Sequence, residues 1–150
     1  MAMEHPLDPM LVLAAGLSAV AALLHLLIIL GGAPWYRFFG AGERLARAAE
    51  AGRLYPSLVT AGIAAVLGLW AAYALAAGGL RLALPWVPQV LCAVTAVYLV
   101  RGLAVVPLMV FMRAAVTPFL LWSSAVCLLV GLVHLVGLYQ AWPRLMGASV

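Results

Sequence analysis

Six side chains in this sequence have the types and spacing to do chemistry together: Arg101, His25, Tyr98, Trp122, Thr60 and Glu50. Arg101, in the segment YLVRG, interrupts an apolar run, and its guanidinium offers a planar fork of donors suited to a carboxylate or phosphate. Near the centre of a membrane helix such a charge costs about 2.5–3.5 kcal/mol unless it pairs, reaches the interface or meets water. Tyr98 lies one turn before it, and Glu50 and Glu43 are the acids that could fold back as partners. Catalytic residues stay unassigned, because no strong catalytic motif is present. No metal site and no cofactor are expected. His25 and His134 invite a bis-histidine haem, but helical rise places them on the order of 15 Å apart in depth, too far to share one iron. Cys92 and Cys127 form no C-x-x-C pair and read as small packing residues.

These residues must be positioned by membrane-spanning helices. The chain has 150 residues, 68% hydrophobic and 8% charged, where soluble domains carry about 25% charged residues. This excludes a soluble globular domain, and equally a disordered chain, which needs low hydrophobicity and high net charge. The basic charge, eight arginines and no lysine, offers no soluble surface for nucleic acid. Long apolar intervals predict spans over 9–33, 55–78, 86–109 and 116–140. The first is expected to be retained as a span and not cleaved as a signal peptide, since its flank MAMEHPLDP has acids and no Lys or Arg. The expected fold is all-α: a single domain over 1–150, an integral membrane up-down bundle of four transmembrane helices with a short amphipathic helix between spans one and two.

Arginine asymmetry sets the orientation. The first connection holds Arg37, Arg44, Arg47 and Arg53, and the third holds Arg113 with Arg101 nearby. Both chain ends are therefore expected to be periplasmic in a bacterial inner membrane, with these connections in the cytoplasm. The segment GERLARAAEA is rich in helix formers, places Glu43 four residues before Arg47, and stops at Gly52, so it predicts the short surface helix. Packing between spans is expected along small-residue stripes: Ala14, Ser18 and Ala22; Ala64, Gly68, Ala72 and Ala76; Gly131 and Gly137 around His134. The same stripes would suit a homo-oligomer. Depth along the helices puts Arg101, His25, Thr60, Tyr98 and Trp122, with Ser123 and Ser124, in one layer of the inner half.

The segment AALLHLLIILGGAPWYRFFGAGERLARAAEAGRLYP resembles the opening half of small bacterial four-span inner-membrane proteins of unassigned function, on His25, Arg37, Phe39-Gly40 and Gly52 to Tyr55. That resemblance implies the fold and location and brings no activity. A weaker one is to the membrane-associated glutathione and eicosanoid metabolism family, on Arg47-Ala48 before span two and Arg101 late in span three. It implies a glutathione-transferase-like enzyme.

The function expected is binding or transport of a small amphipathic or anionic molecule, or a lipid, in the polar layer. Arg101 would supply the charge, and His25, Tyr98, Trp122, Thr60 and Glu50 would complete the pocket. The alternatives are the glutathione-transferase-like enzyme and a structural subunit of a larger membrane complex. The partners expected are the bilayer, the amphipathic or anionic ligand and a second copy of the chain, with no nucleic acid.

Overall fold

The structure is a computed structural model and describes residues 7–147. It is all-α, 84% helical with no strand among the described residues. The elements are α1 (Pro9–Phe38), α2 (Glu43–Glu50), α3 (Tyr55–Ala77), α4 (Val87–Leu103), α5 (Val105–Phe111), a 3-10 turn (Arg113–Ala115) and α6 (Pro118–Gly147). Four stretches are long and apolar enough to cross a membrane: Pro9–Phe38, Tyr55–Ala77, Val87–Phe111 and Pro118–Gly147. The chain is a multi-pass membrane protein of four helical spans with α2 as the short amphipathic helix between the first two.

Two spans are bent by proline. Pro34 has no N–H for the carbonyl four residues back, and Gly32 takes up the distortion at φ 64, ψ −152, where a side chain would be strained. The first span therefore continues past the expected end at 33, but only beyond this kink. Its straight part from Pro9 already measures roughly 35 Å, enough for the hydrocarbon core. In the third span Pro107 leaves the Leu103 carbonyl without its helical donor, and the helix breaks at Ala104 between α4 and α5. The α6 start follows the usual N-terminal chemistry: Thr117 Oγ1 accepts the Leu120 N–H at 3.1 Å, and Pro118 occupies the first helical position.

The chain divides into two compact units, Ser18–Leu69 and Met1–Leu17 with Trp70–Val150. In the first, the turn at Gly40–Gly42 returns the chain so that α2 lies along the end of α1. Ala46 is buried there with Ile28, Ala33 and Tyr36, flanked by Leu24, Phe39, Leu45 and Ala49. Trp35, Phe38 and Phe39 form an aromatic cluster beside it, with ring centroids 5.8 Å and 5.0 Å apart in the two pairs.

In the second unit α4 packs closely on α6. A methyl group built on Gly102 would stand 2.7 Å from the backbone of Leu128, and one on Gly131 would stand 3.0 Å from the Leu99 nitrogen. Gly137 faces Leu11 of α1 in the same way, at 2.8 Å from its side chain. The expected stripe Ala14, Ser18, Ala22 is buried. The α3 stripe differs: the buried face runs through Ala64, Leu67, Ala71, Ala74 and Ala77, while Gly68 is exposed with open space around it. Small residues occur on every side of α3, so four-residue spacing alone does not select the packed face.

Candidate functional site

Arg101 is exposed near the end of α4, roughly 21 Å along the helix from Val87. Its guanidinium crosses to α6, where Nη1 donates to Ser124 Oγ at 3.1 Å and Nη2 to Ser123 Oγ at 3.3 Å. Ser124 is buried, and Ser123 donates onward to the Leu120 carbonyl at 3.1 Å. The close α4–α6 approach at Gly102 brings these groups within reach. Two hydroxyls hold the guanidinium in place but leave its charge uncancelled, and no carboxylate pairs with it among the described residues.

Glu43 and Glu50, the acids expected to fold back on Arg101, are committed elsewhere. Arg37 grips Glu43 with two donors, Nε to Oε2 at 3.0 Å and Nη2 to Oε1 at 3.1 Å, and reaches Glu50 Oε1 at 2.7 Å. Arg47 adds a bond to Glu43 at 3.0 Å across one helical turn. Glu50 is therefore a support for α2, placed there because the Gly40–Gly42 turn brings it alongside Arg37. The Arg37 guanidinium, then Arg47, holds the Glu43 carboxyl down at about 2, and Arg37 likewise lowers Glu50.

Both carboxylates bind protons less readily in the folded chain than in the unfolded one. Their contribution is fully present above the ordinary value near 4.5 and is lost as pH falls toward 2. Hydrogen exchange of residues 43–51, corrected for intrinsic rates, should show protection falling across that window, and Arg37→Gln should flatten the dependence. Protection in the native chain that stays constant from pH 6 to 2 would count against this role.

The remaining expected residues fall into separate local environments. Thr60 is buried and donates to the Pro56 carbonyl at 2.8 Å, so at 3.2 Å it must accept from the Tyr36 hydroxyl. His25 is half-buried, and its Nδ1–H donates to the Ala21 carbonyl at 2.7 Å. Tyr98 is buried, unlike its neighbour Arg101, and packs between Trp70, at 5.3 Å edge to face, and His134, at 5.1 Å. Trp122 is 74% exposed. Arg101 thus joins the two serines, Thr60 joins Tyr36, and Tyr98 joins His134.

One feature went unread in the sequence, the cap of α1 by Asp8; His134, expected between Gly131 and Gly137 of the packing stripe, is wholly buried. Its Nδ1–H donates to the Val130 carbonyl at 2.9 Å, which leaves Nε2 as a lone pair with no partner among the described residues. Asp8 caps α1, with Oδ1 accepting from the N–H groups of Met10 at 3.0 Å and Leu11 at 3.1 Å. Its Oδ2 accepts from Arg144 Nη2 at 3.1 Å, and its own N–H donates to the Gly78 carbonyl at 2.8 Å. The start of α1 and the ends of α3 and α6 therefore meet on one side of this unit. The Asp-Pro pair before an apolar run was the available signal for the cap. No family model, curated protein or solved structure matches the chain, and no family is identified for it.

Proposed function

We propose that this is an inner-membrane protein that binds an amphipathic anion, a lipid or a smaller molecule with one negative head group, against Arg101. The observation that carries the reading is an exposed guanidinium, far from the start of a membrane span, whose partners are neutral hydroxyls. An arginine at such depth is costly until it meets a counter-charge or water. A carboxylate or phosphate seated between Arg101 and the acyl region would meet that need with charge-assisted hydrogen bonds, each worth about 1.5–3 kcal/mol. Ser123 and Ser124 aim the fork. The interruption at Ala104 lies just beyond it, and in membrane proteins broken helices commonly border binding sites. The cluster Arg37, Arg44, Arg47 and Arg53 in the first connection supports a cytoplasmic position for that connection and a periplasmic one for both ends.

Native mass spectrometry of protein purified in mild neutral detergent tests this. The native chain should carry a bound amphiphile of defined mass, and Arg101→Ala should lower its occupancy at least tenfold, about 1.4 kcal/mol, at an unchanged oligomeric state. Equal occupancy in the two proteins would overturn the reading.

A further inference from the structure

At the other end of α4, on the order of 18 Å from Arg101 along the helix, the second unit opens a cleft of about 500 Å³. Its wall includes Ala77, Leu84, Trp86, Val87, Gln89 and Arg144. That volume suits a small ligand, and the lining combines an apolar body with few polar groups, the usual make-up of a binding site.

Arg144 reaches this cleft already held in place. One N–H of its guanidinium donates to Asp8 Oδ2, and the other oxygen of that carboxylate is taken by two amides of the α1 first turn. The negative charge of Asp8 is thus shared between Arg144 and the positive end of α1, so it does not fully neutralise the guanidinium. The remaining donors of the fork stay available, and the side chain is 38% exposed. Gln89 adds a carboxamide within the first turn of α4, a helix whose start has no side-chain cap. Trp86 stands at φ 52, a conformation rarely taken by a bulky residue, and is 74% exposed.

We propose that this cleft is a second anion site, one that takes the single carboxylate or phosphate head group of an amphiphile. Arg144 and Gln89 hold the head group, and the chain lies against Leu84, Trp86 and Ala77. The site stands independently of Arg101.

The test is native mass spectrometry of the full chain in neutral detergent, titrated with dodecyl phosphate in an Arg101→Gln background. One saturable copy should remain. Arg144→Lys keeps the ion pair to Asp8 but removes the fork, and it should weaken binding tenfold or more. Trp86→Gly places glycine where positive φ is comfortable; it should weaken binding at least threefold without lowering the melting temperature. Affinity unchanged in both variants would overturn the proposal, as would equal binding of dodecanol. Loss of the only copy in Arg101→Gln itself would also overturn it, while leaving the Arg101 reading intact. Inorganic phosphate that displaces dodecyl phosphate at equal concentration would show that the apolar wall adds nothing and would overturn the amphiphile as occupant; failure to displace it at equal concentration supports the proposal.

Discussion

Arg144→Ala is expected to destabilise the protein by about 3 kcal/mol, whereas Asp8→Asn at the other end of the same ion pair should cost about 1 kcal/mol or less. The asymmetry follows from burial: the Asp8 side chain is 7% exposed and that of Arg144 is 38% exposed. Removing the arginine leaves a buried carboxylate without its cation, and breaking a buried pair from one side costs about 3–5 kcal/mol. The lower end applies because one partner is partly exposed. Asn at position 8 still caps α1, since Asn and Asp are similar caps, and the arginine it releases can turn to the surroundings. Denaturation in neutral micelles compares the two variants directly. Equal losses would show that the buried carboxylate carries no extra penalty when its cation is removed.

Gly102→Ala should cost about 2 kcal/mol, and Gly68→Ala should be neutral or stabilise by up to about 1 kcal/mol. The added methyl at 102 meets the Leu128 backbone at 2.7 Å, and a backbone cannot yield as a side chain can, so α4 and α6 must separate. The same separation lengthens the bonds from Arg101 to Ser123 and Ser124, and ligand binding at Arg101 should weaken with stability. At Gly68 nothing lies within 4 Å, so only the helix-propensity gain remains. The opposite signs are the observable in a thermal denaturation series. A destabilising Gly68→Ala would mean that this face is covered, as it would be in an oligomer.

The spans were legible in the sequence because hydropathy over about 20 residues is a strong signal: 55–78 against Tyr55–Ala77, and 86–109 against Val87–Phe111. The amphipathic segment was legible for a similar reason, since propensity, the Glu43 to Arg47 spacing and Gly52 agree. The bends at Gly32 and Ala104 were not, because hydropathy averages over them even though Pro34 and Pro107 announce them. The site was the harder part. Rise per residue gives depth but not azimuth, which is why Tyr98 and Arg101, three residues apart, were assigned one face although one is buried and the other exposed. Depth also says nothing about competing partners. Glu50 goes to Arg37, thirteen positions away, because a glycine turn folds the chain back there.

The contact from Asp8 to Arg144 has a consequence for how the protein is made. Asp8 is synthesised 136 positions before Arg144, so the carboxylate leaves the ribosome long before its guanidinium partner. Until then the start of α1 holds an acid without its cation, so a chain whose translation stalls short of Arg144 lacks this counter-ion. The missing counter-ion to a carboxylate only 7% exposed is what distinguishes such a product from a chain that includes Arg144.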